Sequence, residues 1–286
     1  EQKQRWLPKC VSGEYILAVA MTEAGAGSDI SAIRTKAEDK GDHYLLNGSK
    51  TFISNGILAD LVIVAAKTDP NSSHGISLFV VERGMEGFER GKNLKKMGMH
   101  SQDTAEMFFN NVKVPKENLL GEWNRGFYHL MHFLAEERLL SAVGSLANSE
   151  AAYEVTLEYA TDRKVFGRAV ADYQVNRFKF ADMRMEMDVC QAFIDQCVTV
   201  HNDGNLTADD AAKAKLFATE LEDRVTDACV QLHGGNGYMD EYPISRMYTA
   251  ARVSRIYAGS SEIMREIIAR SIGLDPRQKK KQPMAA

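Results

Sequence analysis

The sequence predicts an α+β protein made of two differently organised stretches: an antiparallel β region, barrel or sandwich, followed by an antiparallel helical bundle. Three observations carry this prediction. Up to Pro115, apolar and β-branched residues fall in short runs separated by turn clusters, with no helical segment between them. After Pro115 the apolar period becomes that of helices, in three long patterns joined by short loops. A parallel nucleotide-binding sheet would need helical crossovers between its strands, and this order has none.

The chain opens on a helical-looking EQKQRWLPKC. Strand-like runs follow at 15–21, 44–54, 61–66, 76–81 and 106–114, separated by turn clusters at 39–42, 47–49 and 69–75. Inside the second run, Asn47-Gly48 has the composition of a tight hairpin turn. Helical patterns then cover 121–160, 173–201 and 208–232. Thr207-Ala-Asp-Asp210 resembles a capping box with Asp in place of Glu. A shorter helix is expected after Gly259, through Ile263, Ile267 and Ile268, and the stretch from Arg277 reads as a solvated terminus.

Composition narrows the chemistry. Thirty-five basic against 39 acidic side chains give a net charge of −4 in 286 residues, which disfavours a broad nucleic-acid surface. No apolar run approaches the ~20 residues that span a bilayer, so no membrane insertion is expected. The four cysteines, Cys10, Cys190, Cys197 and Cys229, form no C-x-x-C pair and read as reduced thiols of an intracellular protein. No His, Cys or carboxylate spacing suggests a metal, and there is no G-x-S-x-G elbow.

Four segments stand out. Thr22-Glu-Ala-Gly-Ala-Gly-Ser-Asp29 follows an apolar strand; its glycines free the backbone, and Thr22 and Ser28 offer hydroxyls to a polar ligand. Gln231-Leu-His-Gly-Gly-Asn-Gly-Tyr238 ends a strong helix; a glycine C-cap explains one glycine, and backbone lying against a large ligand or a neighbouring chain would explain all three. Helical spacing puts Glu137 on one face with Phe127, Leu130 and Leu134, continued by the small Ser141 and Gly144, so a carboxylate there is paired, hydrated or functional. Arg255-Ile-Tyr-Ala-Gly-Ser-Ser-Glu262 starts a helix with Ser260 or Ser261 as N-cap, where free N–H groups suit a phosphate or a carbonyl.

In their order and spacing, MTEAGAGSD (21–29), LNGSKTFISNG (46–56), MGMHSQDTAEMFF (97–109), RKVFG (163–167), QLHGGNGYMDEYP (231–243) and RIYAGSSEI (255–263) resemble the acyl-CoA dehydrogenase family. The resemblance implies a β-barrel domain over 13–115 and a four-helix bundle over 116–274. It also implies a remnant of an N-terminal helical domain at 1–12 and a flexible tail at 275–286. It implies an FAD-dependent homotetramer that desaturates a medium-to-long acyl-CoA at Cα–Cβ and passes electrons to electron-transfer flavoprotein, in bacterial cytoplasm or mitochondrial matrix. An acyl-CoA oxidase and a non-catalytic assembly protein of the same fold are the alternatives.

Most members carry a Glu directly before the Gly-Thr/Ser of the last motif, and here that position is Ala258. The isovaleryl- and long-chain types instead place the Glu on the bundle helix before an Arg, which corresponds to Glu137 before Arg138. Glu137 is therefore the expected base, and EERLL, VQLHGG and IYAGSSEIM look closer to the long-chain type. By resemblance, Met21, Thr22, Gly27, Ser28, Phe52, Ile53 and Ser54 line FAD, with Ser28 also near the pantetheine. Arg163, Phe166, Gln174, Gln231, Gly234 and Gly235 hold its ADP half across a subunit interface. Ser260 and Glu262 lie at the adenine, Tyr257 and Gly259 flank the thioester, and Arg138 is near substrate and flavin. Two positions depart from the family pattern: Ala135 replaces a polar residue, and Glu262 a common Gln.

Overall fold

The computed structural model describes residues 1–276, so the expected tail lies, beyond Pro276, outside the described residues. These residues divide into two compact units. One comprises residues 1–96 and 100–132, the other 97–99 and the chain from 133 onward.

The first unit begins with helix α1 (Gln2–Ser12), which stops at Gly13 in the left-handed conformation (φ 78°) and buries Trp6 against Leu61 and Val80. Its sheet contains β1 (Leu17–Ala20), β2 (Lys36–Asp39), β3 (His43–Ser54), β4 (Leu61–Lys67), β5 (Ile76–Glu82), β6 (Phe88–Asn93), β7 (Thr104–Pro115) and β8 (Leu119–Leu120). The strand order is β6-β7-β3-β2-β4-β5-β8, with β1 beside β4. Alternation along β3 and β7 sends Tyr44, Leu46, Met107, Phe109 and Val112 into one core with Val62, Val64 and Phe79.

This sheet corrects two expectations. It is not a closed antiparallel barrel. Among the described residues the path ends at β6 and β8, and β1 and β2 each run parallel to β4. Parallel neighbours need a long connection, and local apolar runs carry no information about which run will pair with which. Nor is Asn47-Gly48 a hairpin turn: β3 runs straight through it, with a register shift against β7 between Leu46 and Gly48. The glycine serves a close approach, since a Cβ on Gly48 would lie 2.4 Å from Thr35 Oγ1 and 2.6 Å from Thr35 Cα.

Helix α2 (Gly126–Asp162) carries the chain into the second unit, followed by the two-residue strands β9 (Lys164–Val165) and β10 (Arg168–Ala169). Then come α3 (Gln174–Asn202), α4 (Ala208–His233), the short α5 (Pro243–Ala251) and α6 (Ser261–Ser271). Helix α3 buries Phe180, Met183, Met187, Cys190, Ile194 and Cys197, a three-four spacing that puts one stripe into the core. Leu139, Ala142 and Leu146 of α2 and Ala218, Leu221 and Val225 of α4 complete that core. The Thr207 hydroxyl accepts the Asp210 N–H at 3.1 Å, as its sequence suggested. Cys190 and Cys229 are free thiols pushed up to about 11 by burial, behaviour expected of small core hydrophobes. Among the described residues no helix is long and apolar enough to cross a membrane, and no group of three or more His, Cys, Asp or Glu could hold a metal ion.

Candidate active site

In the sheet unit, Leu17, Ala18, Val19, Met21, Thr22, Phe52, Ile53, Ser54 and Asn55 line an open groove of about 300 Å³. Five of the expected flavin residues thus meet in one place, from two segments distant in sequence. The Thr51 N–H donates to the Thr22 carbonyl at 2.9 Å and ties those segments together. Phe52 and Asn55 hold left-handed backbone (φ 57° and 59°), costly for side-chain-bearing residues, and Phe52 is 68% exposed. Thr22 and Ser54 bring hydroxyls and Asn55 an amide to a lining whose other side chains are apolar, so the donor set suits a flat ring system with polar edges. Gly27 and Ser28 are exposed and do not line the groove.

The turn behind this groove is held by a buried pair that sequence reasoning missed. Lys50 Nζ donates to the Met21 carbonyl and to Glu23 Oε1, both at 2.9 Å. Glu23 also accepts the N–H groups of Arg34 at 2.6 Å and Thr35 at 3.0 Å. Burial alone would raise the Glu23 carboxyl, but the bonds from Arg34 and Lys50 and the Lys50 charge outweigh it and hold it below the ordinary carboxylate value. Burial lowers Lys50, against the pull of Glu23.

In the helical unit, Glu137 and Arg138 are consecutive on α2. Arg138 is buried, and its Nε donates to the Ala258 carbonyl at 3.4 Å. Solvent still reaches the Glu137 side chain, yet enough protein surrounds its carboxyl to raise it above the ordinary carboxylate value. Partial burial is the largest cause; Glu136 adds to it and Arg138 opposes it. The apolar face expected to continue through Glu137 is thus open: Glu137 and Gly144 are exposed and Ser141 is half-buried, while the buried Leu139 and Ala142 lie on another side of α2. Ala258 and Gly259 are both left-handed (φ 52° and 98°), and a Cβ on Gly259 would meet Met264 Cε at 2.6 Å. The Gly259 carbonyl accepts from Lys215 Nζ at 2.8 Å. Burial, then repulsion by Arg138, lowers this fully buried lysine to about 8.

The residues that flank this turn in sequence are held as well. Glu220 accepts from the Ser261 hydroxyl at 2.6 Å and pairs with Arg255 at 3.1 Å. Ser260 caps α6 by accepting the Ile263 N–H, while exposed Glu262 sits in the first turn, its carboxyl lowered by its own backbone N–H and by Ser260. Glu137, Arg138 and Gly259 therefore belong to one locality of this unit, and half-exposed Tyr257 stands on the same turn. Lys215 and Glu220 had no signal in the sequence, because a buried lysine on a helix is spelled like an exposed one.

The remaining expected residues lie apart and are exposed: Arg163, Phe166, Gln174, Gln231, Gly234 and Gly235. Phe166 is 99% exposed at the tip of the β9–β10 hairpin, where it and Gly167 both take positive φ (50° and 85°). The glycine motif has mixed causes, which corrects the single one expected from sequence. Gly237 is required by its own chain, since a Cβ there would lie 2.5 Å from the Val230 carbonyl oxygen. Gly234 needs φ 60°, and Gly235 faces open space. Asn236 donates to the Tyr159 hydroxyl at 2.9 Å, and Tyr159 stacks on His233 with centroids 4.2 Å apart.

Comparison with known proteins places this geometry. Family models described as "Acyl-CoA dehydrogenase, middle domain" and "Acyl-CoA dehydrogenase, C-terminal domain" match residues 18–112 and 124–273. The long-chain specific acyl-CoA dehydrogenase of Rattus norvegicus mitochondria is 49% identical over 96% of this chain, which spans 65% of that protein's length. The mitochondrial isovaleryl-CoA dehydrogenase of Pongo abelii is 41% identical over 96% of this chain and 66% of its own length. The crystal structure of acyl-CoA dehydrogenase from Geobacillus kaustophilus superposes with a TM-score of 0.94 at 49% identity, covering 96% of this chain and 73% of that one. A chain matched by two of the family's domain models in succession, with the fold of a solved member, belongs to the acyl-CoA dehydrogenase family.

Proposed function

We propose that this chain is the flavin-binding and catalytic portion of an FAD-dependent acyl-CoA dehydrogenase that converts a medium-to-long acyl-CoA to its trans-2-enoyl-CoA. Glu137 acts as the base that takes the α-proton. The observation that carries this reading is the exchange of residues between turn and helix: Ala258 on the strained turn cannot take a proton, whereas the Glu137 carboxyl on α2 is raised by its surroundings. A carboxylate lifted above its ordinary value is a stronger base for a carbon acid, and the thioester acidifies that carbon. Arg138 stays charged beside it and limits how far the lift can go.

Met21, Thr22, Phe52, Ile53 and Ser54 would hold the flavin ring, with Gly27 and Ser28 toward its chain. When bound, FAD supplies the acceptor for the β-hydrogen and its electron pair. Tyr257 and Gly259 flank the thioester, Ser28 reaches the pantetheine, and Ser260 and Glu262 lie toward the adenine of FAD. Arg163, Phe166, Gln174, Gln231, Gly234 and Gly235, all exposed, are free to meet the ADP half of FAD bound by a second subunit of a homotetramer. Electron-transfer flavoprotein is the proposed acceptor. In this reading residues 13–115 are the middle domain and 116–274 the C-terminal one, with α2, α3, α4 and α6 as its four-helix bundle.

Replacing Glu137 by Gln keeps the shape and removes the base. Acyl-CoA turnover should fall by about 10²–10⁴-fold while the protein stays yellow and folded. Full activity in Glu137→Gln would sink the assignment.

A further inference from the structure

We propose that Lys215 is a positioning residue for the acyl thioester: by holding the Gly259 carbonyl, it fixes the Tyr257–Gly259 turn at one distance from Glu137. This rests on the reading of Glu137 and that turn as the reacting site. Its structural basis is independent of it.

Two consecutive carbonyls of the turn each receive a buried cation, and the cations come from different helices. Arg138 of α2 donates to Ala258 at 3.4 Å, and Lys215 of α4 donates to Gly259 at 2.8 Å. Left-handed backbone at Ala258, which carries a side chain, persists only where the surroundings over-determine it, whereas Gly259 adopts it freely. The Met264 side chain of α6 covers a third side, its Cε 2.6 Å from where a Cβ on Gly259 would stand. Arg138 is the covalent neighbour of Glu137, so the bond at Ala258 ties the turn to the base's own helix. Lys215 supplies the second point, without which the turn could pivot about the first. The flanking contacts of Glu220 reach Ser261 and Arg255, outside the turn itself.

A stability role accounts poorly for this lysine. It is fully buried, its ammonium is repelled by Arg138, and its hydrogen bond goes to a neutral carbonyl. An apolar side chain of similar volume would avoid that desolvation, and such replacements of buried charges are often neutral or stabilising. What the ammonium adds is a fixed location for one peptide group. The charges that face it are Arg138 from α2, Glu262 from α6, and Glu220 and Glu222 on its own helix.

The test compares Lys215→Met and Lys215→Gln with the unmodified chain in the flavin-loaded holoenzyme. In Lys215→Met, amide exchange at residues 258–260 should quicken by about tenfold while exchange along α3 stays unchanged. Flavin bleaching by saturating long-chain acyl-CoA should slow by about ten- to a hundredfold, with little change in half-saturation, as a misplaced reacting group requires. Lys215→Gln, which keeps an N–H donor, should recover part of both, and it carries the test should the methionine variant fail to fold. Unchanged exchange at 258–260 would overturn the anchoring. Quickened exchange with unchanged bleaching would overturn the positioning role and leave the dehydrogenase reading intact. An unmodified holoenzyme that does not bleach with any acyl-CoA would overturn both the dehydrogenase reading and the positioning role, while the exchange result would still judge the anchor.

Discussion

Two buried lysines perform the same local act in the two units, in different electrostatic company. Lys50 donates to the Met21 carbonyl and has Glu23 at 2.9 Å; Lys215 donates to the Gly259 carbonyl and has Arg138 as its strongest charged neighbour, a repulsive one. Each serves irregular backbone: Phe52 follows Lys50 on β3 and Asn55 comes just after its end, and Ala258 and Gly259 form the turn held by Lys215. The difference separates two uses of a buried cation. One is locked into a direct ion pair that stabilises its unit, and the other, with carboxylates near but none bonded to it, is held where it fixes a peptide group.

That contrast can be broken by measurement. Lys50→Met leaves the Glu23 carboxylate in the interior without its cation, and should cost about 3–5 kcal/mol of stability in a denaturant titration. Lys215→Met strands no carboxylate in a direct ion pair, so the unfilled carbonyl and the relieved desolvation should nearly cancel, to within about 1 kcal/mol. A Lys215→Met loss equal to that of Lys50→Met would erase the distinction.

The pH dependence sharpens it further. Lys215 sits at about 8 in the fold against an ordinary 10.5, so between these values the unfolded chain binds a proton that the native state has released. Stability from this group therefore rises with pH across that window, and Lys215→Met should flatten the rise. The smallest effect belongs to a residue that is almost wholly exposed. Phe166→Ala should change stability by less than about 0.5 kcal/mol, since the ring is 99% exposed, yet it should loosen FAD retention. Unaltered retention would remove Phe166 from the proposed cofactor site.

Legibility in the sequence followed what each residue's neighbours could reveal. Strands β4, β5 and β7 were readable because their buried residues are apolar, whereas β2 (KAED) and β6 (FERGKN) carry charges along the chain and gave no alternation. Asn47-Gly48 was misread because a bulge and a turn ask for the same residues. Only the approach of Thr35 decides between them, and that approach is non-local. Helix α5 was missed because PISRMYTAA is short and mixed, although Pro243 at its first turn is a fair signal. Glu137 stands out in the sequence as a carboxylate in line with apolar residues, although the structure leaves that face open at Glu137. Lys50, Lys215 and Glu23 were not, because nothing in their local spelling says that they are buried.

Residues 97–99 leave the sheet unit and join the helical one, where a Cβ on Gly98 would lie 2.4 Å from the Thr249 carbonyl oxygen of α5. The chain therefore passes between the two units three times rather than once. During synthesis this tongue emerges long before the helix that receives it, so its berth must be completed after the ribosome has finished both. Cutting the gene at a single point between sheet and helices would leave that berth empty. Recombination among relatives should therefore tolerate junctions that keep 97–99 with α5 of the same parent, and reject those that separate them.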